Sequence, residues 1–298
     1  MINLLLSGTA QGLLWAIMGI GVFITFRILD SADLSAEGTF ALGGSVTALA
    51  ISQQIHPLLA TVLGLCAGAL AGLITGLLHT LMKIPPLLAG IITLTGLYSI
   101  NLFILGKSNL SIVKMTTLIS FFQQLGMTKT ESVLVMGSIA LIAVILSLVV
   151  LFKTEIGLAL CATGDNPHMS QANGIRINWM KCLAYMLSNG LIALSGALFA
   201  QNNGYADVNM GVGTIVFGLS AIILSEVMFS QLSLPKRFMA ISLGAVLYRF
   251  ILMIILQFNI DPQMIKLFSA ILLAIILYIP QVRQRLGVRH NTTLKGGR

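Results

Sequence analysis

Charge is scarce in this chain. Of its 298 residues only 9% are Asp, Glu, Lys or Arg, while 57% are hydrophobic. A water-soluble domain does not need that share of apolar side chains, and a mean hydropathy of +0.97 points to a polytopic membrane protein. Cysteine is scarce too. Cys66, Cys161 and Cys182 have no paired spacing, so neither a disulfide framework nor a thiolate metal site is expected. His56, His79, His168 and His290 are scattered singly and suggest no metal either. The chain lacks a glycine-rich phosphate loop ending in Lys-Ser or Lys-Thr, a Gly-x-Ser-x-Gly elbow and a His-Glu-x-x-His pair. It is therefore expected to hold no cofactor, to bind no ATP itself and not to be an enzyme. Its net charge of +8 comes without a basic patch interleaved with aromatics, so nucleic acid is not an expected partner. The N-terminus lacks the basic start and small-residue cleavage site of a signal peptide, and the first apolar run is expected to remain as a span.

What the chain does have is long apolar runs, at about 3–28, 37–54, 57–82, 86–106, 132–152, 179–200, 214–230, 237–258 and 265–282. Their length suits helices rather than barrel strands. The expected fold is an all-α polytopic membrane protein with about nine transmembrane helices. The second and seventh runs are short and rich in glycine, so they are expected to be broken or tilted. An odd number of crossings puts the two ends on opposite sides. Arg27, Lys83, Lys153, Arg176, Lys181, Lys236, Arg237 and the basic tail 283–298 fall on one side, against Lys107, Lys114, Lys129 and Lys266 on the other. By the positive-inside rule the N-terminus is outside and the C-terminus cytoplasmic. The external segment from Lys107 to Glu131 contains an amphipathic stretch, Ile119–Leu125, which is either a surface helix or an ordinary loop.

An internal echo organises these spans. Residues 32–45 read ADLSAEGTFALGGS and residues 206–220 read ADVNMGVGTIVFGLS. Each begins Ala-Asp, reaches Gly-Thr and enters an apolar run, and the charge pattern places the two on opposite sides. This pattern predicts an inverted internal repeat within a single domain, 1–298. Its first half covers about 1–152, a polar loop covers 153–181, and its second half covers about 179–282. Gly64, Gly68, Gly72 and Gly76 share one helix face, where two backbones can approach closely; the partner helix belongs to this chain or to another.

Polar groups inside the apolar runs are candidates for a translocation path or gate. Asp33 and Glu37 either serve there or cap the second span. Thr93 and Thr95 either line a path or bond back to their own helix. Asn101, Ser188 and Asn189 line a pore or tie helices together, and Asp207 stands in the echo. Glu226 and Arg249 are charges within spans, at depths that make a direct pair between them doubtful. Glu226 has a structural, gating or ion-binding role.

The longest polar interruption, Lys153–Lys181, reads as a short capped helix. Asp165 or Asn166 is the N-cap, Pro167 fits the first helical position and Gly174 fits just past the end. Two turns are not stable alone in water. The segment is either an ordinary polar loop or a docking helix held by the spans on each side and pressed into a partner.

This loop resembles the cytoplasmic coupling segment of bacterial ABC-importer permeases of the branched-chain amino acid and ribose type. Gly157, Ala159, Ala162, Thr163, Gly164, Asn166, Ala172, Gly174 and Ile175 stand in matching places. Asp33-Leu34-Ser35-Ala36-Glu37-Gly38 looks like that family's early motif, and Pro85, Pro86, Thr93 and Leu94 are similar to its proline-led entry, with a shifted spacing. Leu158 and Cys161 stand where the family often has arginine, which implies a less electrostatic partner contact. The chain is also similar to a Gram-positive branch linked to tryptophan or tyrosine uptake. The resemblance covers about residues 10–282 and implies a permease in the bacterial plasma membrane that moves a small polar solute inward. It implies a second permease chain (a homodimer), two cytoplasmic ATP-binding subunits, an external substrate-binding protein or lipoprotein, and membrane lipid as partners. Thr163, Gly164, Asp165, Asn166, Pro167, His168, Gln171, Ala172 and Gly174 would then form the coupling site. The rival expectation is an ion-gradient-driven secondary transporter with Glu226 as its ion site.

Overall fold

A computed structural model describes residues 2–229, 232–257 and 264–285, which leaves most of the basic tail outside the described residues. Every apolar run falls on a helix. In chain order these are α1 (Ile2–Phe23), α2 (Ser35–Ser52), α3 (Pro57–Thr80), α4 (Pro86–Leu105), α5 (Leu118–Gln124), α6 (Lys129–Lys153), α7 (Glu155–Asp165), α8 (Pro167–Ala172), α9 (Ile177–Asn203), α10 (Thr214–Met228), α11 (Leu234–Gln257) and α12 (Ile265–Arg285). Among the described residues, six stretches are long and apolar enough to cross a membrane: Leu6–Ile28, Pro57–Thr80, Pro86–Leu105, Lys129–Lys153, Ile177–Asn203 and Leu234–Ile255. Thr214–Met228 and Lys266–Tyr278 are shorter apolar helices. α2 does not qualify because Ser, Thr, Gly and Glu37 dilute it, yet nearly all of it is buried.

Local chemistry sets the boundaries. α3 starts on Pro57 after His56, whose side chain accepts from the Leu58 N–H, and α4 starts on Pro86. α5 and α6 each open with a capping box, Thr117 with Ser120 and Thr128 with Glu131. The Ile119–Leu125 stretch is thus a short helix. α4 and α9 end on left-handed glycines, Gly106 and Gly204. After α9 the chain forms β2 (Tyr205–Asp207), which pairs antiparallel with β1 (Asn109–Ser111) in the register Asn109↔Asp207, Leu110↔Ala206 and Ser111↔Tyr205.

The core lies around α1 and α9. Leu14, Ala16, Ile17, Met18 and Ile20 are fully buried. Trp15 joins four helices, stacking on Phe40 of α2 at 5.3 Å and meeting Phe199 of α9 at 5.2 Å and Phe217 of α10 at 4.5 Å. The glycine stripe of α3 packs on α9 of the same chain. A Cβ on Gly68 would meet that of Ala193 at 2.2 Å, and one on Gly72 would lie 2.2 Å from the Tyr185 carbonyl. The outer faces of α3, α4 and α6 carry exposed Leu, Ile and Phe, including Leu70, Phe103 and Val150. The two echoed segments meet: Gly213 N–H donates to Glu37 Oε1 at 2.9 Å, and a Cβ on Gly211 would lie 1.8 Å from the Glu37 carbonyl oxygen.

Candidate functional site

Between the end of α1 and the start of α2 the chain alternates between exposed residues, Arg27, Asp30 and Ala32, and buried ones, Ile28, Leu29, Ser31 and Asp33. α1 ends in a π-helical turn, Ile24–Ile28, and Asp30 follows at φ +52. The next carboxylate, Asp33, is only 4% exposed. Its Oδ1 accepts from the Ser35 N–H at 2.9 Å and the Ser35 hydroxyl at 2.6 Å, and its Oδ2 accepts from Asn189 Nδ2 at 2.8 Å. Asn189 also donates to the Tyr185 carbonyl, and the Tyr185 and Ser31 hydroxyls are bonded at 2.6 Å. One turn further along α1, Ser188 donates to the Gly21 carbonyl at 2.7 Å and lies 3.3 Å from the Thr25 hydroxyl. A buried carboxylate persists only with partners that replace water. This cluster supplies them and ties α9 to the turn between α1 and α2.

Asp33 and Asn189 are therefore brought together, and the other candidates lie elsewhere. Glu37 holds the Gly213 turn. Thr93 accepts from Thr75 at 2.9 Å while donating to the Ala89 carbonyl, which ties α4 to α3. Thr95 is exposed and bonds back to the Ile91 carbonyl. Asn101 donates to the Gly38 carbonyl at 3.2 Å, and its own Oδ1 is buried without a partner among the described residues. Asp207 sits in β2, its Oδ1 accepting from the Asn209 N–H. Glu226 is held by Arg27 through two bonds, Nε to Oε1 at 2.8 Å and Nη2 to Oε2. Arg249 instead donates to Gln11 Oε1. Sequence reading missed Ser31, Ser35 and Tyr185 as members of the cluster and treated Arg27 only as a topology marker. Ser35 stood inside the quoted Asp-Leu-Ser motif, which was a signal for it.

The polar loop is two helices, not one. Thr154 ends α6 and caps α7, its hydroxyl accepting from the Gly157 N–H, so the stretch before Asp165 is helical too. Asn166 serves both as C-cap of α7 and as N-cap of α8, its Oδ1 accepting from the Met169 N–H at 3.0 Å. Pro167 is the first residue of α8 and Gly174 follows its end at φ +81. Asp165, His168, Gln171 and Ala172 are exposed, whereas Thr163 is buried. A Cβ on Gly164 would lie 1.6 Å from the Ile28 carbonyl oxygen, so α7 presses directly on the π-turn of α1. Beside that contact lies a cleft of about 590 Å³ lined by Arg27, Asp30, Cys161, Gly164, Asp165 and Arg237 among others. Burial and the neighbouring Asp165 carboxylate push the Cys161 thiol above its ordinary value, so it stays protonated at neutral pH. No three His, Cys, Asp or Glu side chains come together among the described residues.

Residues 4–278 match the family described as branched-chain amino acid transport system, permease component. Over 269 residues the chain is 39% identical to a tyrosine transport system permease protein of Clostridioides difficile, covering 90% of this chain and 88% of that protein. It is 27% identical over 229 residues to the ribose import permease protein RbsC of Escherichia coli, covering 75% and 69%. Among solved structures, PsaBC from Streptococcus pneumoniae in complex with Fab superposes with a TM-score of 0.52 at 16% identity, covering 93% of this chain and 90% of that one, a likeness of fold. With a family match over nearly its whole length, the chain belongs to the ABC-transporter permeases of the branched-chain amino acid transport family.

Proposed function

We propose that the chain is the membrane-spanning subunit of a bacterial importer, working as two identical copies with two cytoplasmic ATPase subunits and an external substrate-binding protein. The cargo is a small polar solute, an amino acid by the likeness to the tyrosine-system permease. α7 and α8 are the coupling element, with Thr163–His168, Gln171, Ala172 and Gly174 at the ATPase contact. The observation that carries this reading is the backbone contact of Gly164 with Ile28. It connects α7 to the turn that leads into the Asp33–Ser35–Asn189 cluster, so a push on α8 is delivered to the joint between α1, α2 and α9. ATPase closure would shift the permease between two states only through differential affinity for them.

Nine crossings in an inverted repeat fit the same scheme. Both echoed segments lead into the less apolar or shorter helices, α2 and α10, and they touch at Glu37. The charge pattern supports a cytoplasmic C-terminus, because Arg27, Arg237 and α7 share one cleft while Lys129 and Tyr205 share another with the start of α1. The ion-driven alternative needs Glu226 free to take up a proton or sodium ion. Both of its oxygens are engaged by Arg27, which counts against it.

The test replaces Gly164 and Asn166 by bulky residues in a strain carrying the neighbouring ATPase and binding protein. ATP-driven uptake of labelled tyrosine is expected to be lost, with membrane insertion intact. Normal uptake in that variant, or a wild-type permease that purifies without any ATP-binding subunit, would sink the reading.

A further inference from the structure

At the end of the molecule opposite α8, a cleft of about 370 Å³ opens between α1, α6 and α9. Its polar lining includes Gln11, Lys129, Thr130, Asn202, Asn203 and Tyr205. Asn202 is only 8% exposed, and it lines the cleft. Gln11 is fixed from behind. Arg249, a cation within α11, donates to Gln11 Oε1, which leaves the amide hydrogens of Gln11 for the cleft. The Arg249 Nε is buried and unpaired, so its positive charge is not neutralised by any described side chain. No carboxylate is among the described residues that line the cleft. The nearest along α6, Glu131, is occupied with the Thr128 N–H at 2.8 Å.

The cleft therefore offers amide donors, a lysine ammonium and the field of a second cation, and it asks for an oxyanion with several acceptors. We propose that it holds the phosphate headgroup of an anionic phospholipid, with Lys129 and Asn202 bonding the phosphate oxygens. Lipid is favoured over a soluble anion because Lys129 opens α6, a helix long and apolar enough to cross a membrane. Lys129 therefore sits at the helix end where a cation reaches the headgroup layer. This assignment needs only that the chain spans a membrane. It stands or falls independently of the ATPase and of the transported solute.

The experiment uses delipidated, detergent-purified full chain titrated with phosphatidylglycerol or phosphatidylcholine and read by native mass spectrometry. Wild type is expected to retain phosphatidylglycerol about tenfold better than phosphatidylcholine, the effect of one or two charge-assisted hydrogen bonds. Lys129→Gln, a surface change that leaves the core untouched, is expected to abolish the preference, and Asn202→Leu to weaken it. Lys107→Gln, an exposed lysine outside the cleft, is the control that keeps it. Equal retention of the two lipids by wild type, or a full preference in Lys129→Gln, overturns the proposal. Displacement of bound phosphatidylglycerol by inorganic phosphate or by free tyrosine would assign the cleft to a soluble anion and overturn the lipid as occupant.

Discussion

At the scale of single residues, the permease depends on places where a side chain is missing. Gly72 and Gly164 are two of them: each lets a backbone lie where a methyl group would collide with a carbonyl oxygen. On α3 that absence permits helix packing by close van der Waals contact and carbonyl approach, which is the principal attraction available between helices in lipid. Gly72→Leu is therefore expected to separate α3 from α9 and to disperse the protein on fluorescence-detected size exclusion. Gly96→Leu is the matched control, since nothing lies within 4 Å of the Cβ position there, and that variant should remain monodisperse. Equal behaviour of the two would mean that the α3–α9 seam does not hold the fold. The Asp33 cluster works by the opposite device. Its carboxylate is buried and fully partnered, so it fixes one arrangement of α1, α2 and α9 rather than adding large net stability.

At the scale of elements, how much was legible depended on whether the signal was local. α8 could be read from Asn166, Pro167 and Gly174 because a cap, a first-turn proline and a left-handed glycine act within a few residues. α7 was not read, because Thr154 as a dual stop and start looks like any threonine beside a lysine, and the packing of Gly164 on the distant backbone of Ile28 is invisible in one dimension. The nine apolar runs were all legible as helices, but composition does not distinguish a lipid-facing helix from one buried among its neighbours such as α2. Asn189 as partner of Asp33 and Arg27 as partner of Glu226, each more than a hundred residues away, left only weak traces in the chain. The α8 caps give a direct test. Asn166→Ala removes a cap worth about 1 kcal/mol, and Gly174→Val forces a branched side chain into a left-handed backbone at about 1–2 kcal/mol. Both are expected to speed amide exchange at 169–173 by about fivefold or more, with the spans unchanged. Unaltered protection in both variants would show that α8 is held by contacts other than its caps.

At the scale of the whole molecule, the ends of α1 and α10 are clasped by Arg27 and Glu226 beside the cleft against which α7 rests. Each side chain of the pair is 35% exposed, so solvent screens it and its contribution to stability is modest, about 0.2–1 kcal/mol. Its position matters more than its strength. α1 lies in the N-terminal half of the chain and α10 in the C-terminal half, and α7 touches the end of α1 at Ile28, one residue beyond Arg27. A movement of α7 that shifts the π-turn must strain or release this clasp, which makes it a joint between the halves at the end where the motor would act. A double-mutant cycle separates the two roles. Arg27→Ala and Glu226→Ala are expected to lower thermal stability only slightly and to couple by less than about 1 kcal/mol. The charge swap, Arg27→Glu with Glu226→Arg, should restore whatever uptake the single changes lose. If the swapped protein remains as impaired as either single variant, while each is as stable as wild type, the ion pair is not what joins the halves, and the Gly164 contact must transmit the movement alone.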